Sequence, residues 1–438
     1  MVTLLLLLAC APATNDPGET GGTGDTGVSD TDTGSNIIGG DTSPDTDDTG
    51  EQKDTADDER DEAAYEAFYD PETVQVLTIG ITAADQALMD TEAEAERAAH
   101  PDNPTYSYVT ASVTINDELI ENVGVRYKGK GSFQYWSEKP SLKVKFDEFE
   151  AGRRYAGLKR VNLDNMVGDA SMSRAVVGYH LWREAGMAAP QANYAQVYVS
   201  VDGAAPEYLG LYTNLEELDS VWVSRNFDDD GGDLWEGLDS ADFTSAGVTH
   251  FALAAGEGDV AALDHVRRAL QGHGEDFYED ANDVLDMENF LDFWTLSIAT
   301  GNRGGYPFHL GGFYTYYNPE DERLVFSPGS MEESFDTGTP VYAAYVTGSV
   351  AAFCLYYDDT CPDRYRAALT ESVDFYESSD ILAFAEATQV LSDAAMQDDS
   401  RKNLNGTPLT TSEVSQARDK LNYRIEMYPD WLRDRQGL

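Results

Sequence analysis

Ten of the 29 basic residues fall within 35 positions: Arg126, Lys128, Lys130, Lys139, Lys143, Lys145, Arg153, Arg154, Lys159 and Arg160. The chain around them is acidic, with 80 Asp and Glu and a formal net charge of −51. Cations gathered in so acidic a background point to an anion site. Lys128-Gly129-Lys130-Gly131-Ser132 adds a glycine-rich turn whose backbone N–H groups suit phosphate oxygens. Lys143 and Lys145 sit two apart in an alternating run, so a strand would project both from one face towards the same region. The competing explanation is a hairpin turn whose charges neutralise acidic neighbours.

A second stretch with chemical potential runs from Gly301 to Phe335. A loop of Gly, Arg and Tyr leads into an aromatic strand, Phe313 to Tyr317. The turn Asn318-Pro319-Glu320-Asp321-Glu322 leads to a second strand, Arg323 to Phe326, and an acidic loop from Ser330 to Asp336 follows. Two strands that carry polar loops to one end often form the floor of an active site. Asn226-Phe227-Asp228-Asp229-Asp230-Gly231 resembles the start of an EF-hand loop. Its twelfth position is Gly237 rather than Glu, and its eighth is Asp233 rather than an apolar residue. An acidic surface turn explains it more simply. The six histidines are scattered, and no serine–histidine–acid signature is visible.

The elements that must position these groups begin after a long polar lead. Residues 1–9 are an apolar segment too short to span a bilayer. They read as an export signal, and Leu7-Leu8-Ala9-Cys10 resembles a lipobox in which Cys10 carries the lipid. A stray cysteine in a cleaved signal is the alternative. Ala11, where an Asp would retain a lipoprotein at the inner membrane, favours the outer membrane or cell surface. Residues 10–62 are rich in Thr, Asp, Gly and Ser and cannot bury enough apolar surface to fold; they read as a self-repelling tether. The charge excludes nucleic acid as a partner, since phosphates would be repelled. Cys354 and Cys361, seven apart in an exported chain, read as a local structural disulfide.

The folded domain is expected over residues 63–438. Strands are expected at Val74–Ile81, Tyr108–Ile115, Ile120–Tyr127, Ser141–Phe146, Tyr194–Val201 and Tyr208–Leu215. Helices are expected at Ala83–Ala99, Ala170–Ala185, Asp259–Gln271, Met287–Thr300, Asp380–Met396 and Thr411–Met427. Strands and helices without regular alternation indicate an α+β fold.

Four stretches in order carry a family resemblance: GVRYKGKGSF…KPSLKVKF, LKRVNLDNMVGDASMSR, GLYTNLEELD, and Gly301–Phe335. They resemble the CotH family of atypical protein kinases over roughly Val74 to Arg433. The resemblance implies a kinase fold of two packed lobes that binds ATP with Mg or Mn and phosphorylates Ser or Thr on an exported or cell-surface protein. By position it assigns Arg126, Gly129, Ser132, Lys139 and Lys143 to the nucleotide, and the glycine-rich turn adds Lys128 and Lys130. It gives Glu216 the role of orienting a strand lysine and Glu332 the place of a metal carboxylate, and Asp336 in the same acidic loop is a further candidate for the metal. Asn165, Asp169 and Arg174 match a further family run, although Asp169 also sits where a helix N-cap belongs.

The departures are as informative. Where the family has a catalytic Asp after Gly-Asn, this chain has Gly304. Gly312 replaces an Asn at the start of the next strand, Ser330 replaces the first metal carboxylate, and Glu332 replaces the second. A lysine usual after a later Gly-x-Leu-Tyr is Glu236. The expected function is therefore a surface lipoprotein with a kinase fold, either a pseudokinase or a much-weakened kinase. An active kinase and a calcium-dependent adhesion module are the alternatives.

Overall fold

The computed structural model describes residues 61–438, less 102, 272, 273, 275, 307, 336–345 and 437. Cys10 and the tether up to residue 60 lie outside the described residues, as does Asp336. Among the described residues no helix is long and apolar enough to cross a membrane.

The chain first orders at α1 (Glu62–Phe68), where the Asp61 carboxylate accepts the Ala64 N–H at 3.1 Å. β1 (Val74–Ile81) follows, then α2 (Ala83–Ala99), capped by the Thr82 hydroxyl. β2 (Val109–Ile115) and β3 (Glu118–Lys128) form a hairpin, with Asn116 and Asp117 both at positive φ in the turn. β4 (Ser141–Lys145) and β5 (Arg160–Asp164) extend it. After α3 (Arg174–Glu184) come β6 (Ala192–Val201) and β7 (Glu207–Leu215).

These strands close a barrel in the order β1-β2-β3-β4-β5-β7-β6, with β1 and β6 parallel and the other pairs antiparallel. Closure leaves no exposed edge. The barrel interior is apolar: Leu77, Val113, Val125, Leu142, Val144, Val161 and Leu163 are all fully buried.

The second lobe opens with α4 (Ser220–Asn226), β8 (Leu234–Gly237) and β9 (Phe251–Ala255). The helices α5 (Ala261–Gln271), α6 (Phe277–Asn282) and α7 (Met287–Ala299) follow, then β10 (Phe313–Asn318) and β11 (Arg323–Pro328). An antiparallel sheet of order β11-β10-β8-β9 results. Helices α8 (Ser349–Tyr356), α9 (Cys361–Ser378), α10 (Ile381–Asp398) and α11 (Thr411–Gln436) complete the lobe. α7 is buried almost all round, because one side meets α9 and the other the aromatic face of β10 and β11, where Phe313 and Phe326 stack at 5.3 Å.

The architecture is the expected α+β fold of two lobes, with a few local differences. α3 starts at Arg174 rather than Ala170, because the Asp169 carboxylate accepts the N–H groups of Ser171, Ser173 and Arg174 and winds the preceding residues into a turn. β5, β8, β9, α4, α6, α8 and α9 are additional to the expected elements. β5 is only five residues long and its polar residues outnumber its apolar ones, a weak strand signal until neighbours bury it. Cys354 and Cys361 form a disulfide between the end of α8 and the start of α9.

Candidate functional site

Registered residues on antiparallel strands point to one face, and here the register sorts charge from apolar surface. Val125, Val144 and Val161 line up towards the barrel interior, and Arg126, Lys143 and Asn162 line up on the opposite face. Lys128 and Asp164 lie two residues along the same face. This outer face is nevertheless buried: Arg126, Lys128, Lys143, Arg160, Asn162 and Asp164 all have little exposed surface. A buried ammonium needs a partner, and each lysine has one. Lys143 Nζ lies 2.7 Å from Glu217 Oε1, and Lys128 Nζ lies 3.5 Å from Asp164. Asn162 Nδ2 donates to the other Glu217 oxygen. Arg160 pairs with Asp219 at 3.2 Å, and Asp219 also caps α4. Lys130 pairs with Asp239 at 2.9 Å at the solvent edge.

The glycine-rich turn is held by its carbonyls. Gly129, at φ 105°, accepts from the Tyr106 hydroxyl at 2.9 Å. The Lys130 carbonyl accepts from Arg97, and the Ser132 carbonyl accepts from Asn165 Nδ2 at 2.9 Å. Ser132 Oγ is buried without a hydrogen-bond partner. The turn is thus a braced structure that adjoins the lysine face.

Two assigned residues are placed differently from their expected roles. Lys139 is sealed in an ion pair with Asp399 at 2.7 Å, with 1% and 0% of the two side chains exposed. Burial lowers its pKa against the pull of Asp399. No face of this ammonium is left for a phosphate; Lys139 ties the barrel to the turn after α10. Glu216 does not orient Lys143, because successive residues leaving β7 point to opposite sides. Glu217 turns to Lys143, while Glu216 accepts from the Tyr65 hydroxyl of α1 at 2.6 Å and from the Gln191 N–H at 2.9 Å. Burial pushes the Glu216 pKa up to about 7.

Across from the lysine face stands β8. Glu236 pairs in register with Tyr314 of β10 and is 5% exposed. Burial is the largest cause raising its pKa well above the usual carboxyl range, followed by Glu217; Lys143 and Lys128 pull it down, and Asp239 pushes it up. Those four groups are the charges around it.

The Gly301–Phe335 loop meets the same region through Tyr179 of α3. Its hydroxyl donates to the Gly329 carbonyl at 3.0 Å, and burial above all, then Glu332 and Asp164, raises its pKa. Asn302 organises the loop: Nδ2 donates to the Ser330 carbonyl at 2.9 Å, and Oδ1 accepts the Gly304 N–H at 3.2 Å. A Cβ on Gly304 would lie 3.6 Å from Glu333 Oε2 and 3.6 Å from Asn302 Oδ1. The loop therefore brings together Gly304, Ser330 and Glu333. Arg174 reaches it through the Glu332 carbonyl at 3.5 Å. Glu332 is half-buried. Among the described residues no group of three or more His, Cys, Asp or Glu is placed to hold a metal ion. In the loop that resembles an EF-hand start, Asp233 is committed to the backbone N–H groups of Glu257, Gly258 and Asp259.

Sequence reasoning missed Glu217, Asn162, Asp164, Asp239 and Asp399. Asn162 and Asp164 lie inside a quoted motif, and their alternation with Val161 and Leu163 was the available signal. Asp399 had none, since it meets Lys139 across 260 residues.

A family model described as CotH kinase protein matches residues 125–344, half of the 438 residues. No curated protein matches the chain.

Proposed function

The chain belongs to the CotH kinase family, and from that premise we propose that it is a pseudokinase. It is exported, held at the cell surface through a lipid on Cys10 and the acidic tether, and grips a partner protein without phosphorylating it. The observation that carries this reading is Gly304. Its backbone φ lies outside the range that needs glycine, and a Cβ there would make only ordinary contacts at 3.6 Å. The backbone there accepts a side chain, and the sequence does not supply one. A positioned general base is worth about 10²- to 10⁴-fold in rate, and Ser330 removes a metal carboxylate beside it.

A metal–triphosphate also fits the opposite wall poorly. Lys128 and Lys143 are already paired with acids, and Glu236 puts a carboxyl where the family has a lysine. The cationic face supports the family's fold more than its reaction.

The test is calorimetric titration of the full chain with ATP, with and without Mg²⁺ or Mn²⁺, joined to a phosphotransfer assay on a Ser/Thr peptide library. The expected result is neither metal-dependent binding nor transfer. Metal-dependent binding near micromolar, about −8 kcal/mol, together with labelled peptide, would overturn the pseudokinase reading.

A further inference from the structure

The four-stranded sheet of the second lobe has two edges, and they are finished differently. The β11 edge is covered: the Asp286 N–H donates to the Leu324 carbonyl at 2.9 Å, and the Leu324 N–H donates to the Val284 carbonyl at 3.0 Å. The β9 edge is open. Among the described residues no helix or strand other than β8 lies closely along β9. The Leu238 N–H donates to the His250 carbonyl at 3.0 Å, which makes these two a hydrogen-bonded pair. Such pairs alternate along an antiparallel ladder, so Phe251 and Leu253, opposite Gly237 and Trp235, turn their N–H and C=O groups away from β8. Among the described residues those groups find no donor or acceptor elsewhere.

Sheets ordinarily shield an edge with charge, proline or a cover. Phe251-Ala252-Leu253-Ala254-Ala255 has neither charge nor proline, and its first four residues are partly exposed. The strand is nonetheless held in place. Phe251 packs on Phe243 at 5.4 Å and on Phe313 at 5.7 Å, and Leu253 packs on the same core.

A second observation concerns charge at one end of this edge. The Asp233 carboxylate accepts the N–H groups of Glu257, Gly258 and Asp259, which draws the turn after β9 against the turn before β8. Asp228, Asp229, Asp230, Glu257 and Asp259 are exposed on these two turns, and no Lys or Arg occurs from Asn226 to Val266.

We propose that β9 is a docking strand: an extended segment of a partner protein adds to its open edge, with Lys or Arg at the segment's N-terminal end. Every pair in this sheet is antiparallel, and an antiparallel addition brings that end beside the acidic turns. The proposal rests on the reading that the domain holds a partner protein, and it stands whether or not phosphate is transferred. Phe251 and Leu253 supply the main-chain bonds, and alternate side chains of the segment pack beside theirs. A second copy of the chain is a poorer occupant, because it carries the same net charge of −51 and is repelled.

The experiment gives the full chain a synthetic peptide, Lys-Lys-Val-Thr-Val-Thr-Val, acetylated and amidated. Fluorescence polarisation of a labelled copy reads affinity, and hydrogen–deuterium exchange reads residues 250–255. The expected result is saturable binding with slowed exchange in that segment. Two further peptides carry N-methyl groups on the valines or on the threonines. One alternate set of peptide N–H groups faces β9 and the other faces solvent, so one methylated peptide should lose about tenfold in affinity and the other bind almost unchanged. Asp228→Asn with Glu257→Gln should weaken binding about threefold. Leu253→Pro removes an outward N–H and keeps the ladder to β8, and should cost about tenfold. Its melting curve reports that it folds, and the methylated peptides test the same point on the unaltered chain. No saturable binding, equal binding by the two methylated peptides, or protection elsewhere than residues 250–255 would overturn the proposal. So would a dimer of the chain alone that Leu253→Pro abolishes, since the edge would then belong to a second copy. Phosphotransfer in the kinase assay sinks the pseudokinase and leaves the docking strand untouched, whereas failure of the peptide with phosphotransfer also absent sinks only the docking strand.

Discussion

The lysine face of the barrel and the loop from Gly301 to Phe335 differ in what their side chains are tied to. On the barrel, Arg126, Lys128 and Lys143 are buried on one face. In the loop stand Gly304 and Ser330, the two positions on which the pseudokinase proposal rests. The difference follows from what else each side chain does. Every barrel lysine is buried against an acid, so its loss would strand a charge in a poorly solvated place. Positions 304 and 330 touch little that depends on them. Among the described residues Gly304 contributes its N–H to Asn302, and Ser330 contributes its carbonyl, again to Asn302. Backbone contacts survive a change of side chain. Side chains that double as packing are held by stability, and those that do not can change without unfolding the domain.

The sharpest way to break this comparison is at Lys139. Lys139→Met leaves Asp399 buried and unpaired, and a broken buried pair costs about 3–5 kcal/mol. A urea titration that shows less than about 1 kcal/mol would mean that the barrel cations are not held by packing. Glu216 gives the next effect. Its pKa in the folded chain, about 7, lies above its ordinary 4.5. The folded state therefore holds the proton more tightly, and stability falls as pH rises from about 4.5 through 7, by about 3 kcal/mol. Glu216→Gln removes this titration, so the gap between wild type and variant should change by that amount across the window. A gap independent of pH would remove the α1 contact from the account. The smallest effect belongs to the loop. Gly304→Asp should change stability by no more than about 1 kcal/mol and leave phosphotransfer at background, because Ser330 and Glu236 remain. A gain of about 10²-fold would show that the cleft had kept everything but its base.

Much of the barrel was legible in the sequence. Val74–Ile81 and Ala83–Ala99 lie where their period-2 and helical patterns place them, and the Asn116-Asp117 turn fixes the β2–β3 register. β5 was harder to read, since a five-residue strand with three polar members becomes a strand only when β4 and β7 pair with both its edges. The site was legible as a list of residue types and motifs. Its partnerships were not. Glu216 and Glu217 are equivalent as text, and which one meets Lys143 depends on the direction each takes on leaving β7.

The sequence by itself determined the fold class, the family and the cluster of cations, because these are local in the chain: periodicities, spacings and motifs. The tertiary structure decided that Lys139 is a brace, that Glu217 rather than Glu216 answers Lys143, and that Glu236 is a buried acid. Those outcomes depend on burial and on contacts between residues tens to hundreds of positions apart. A charge's cost and its neighbours are set by the space it occupies.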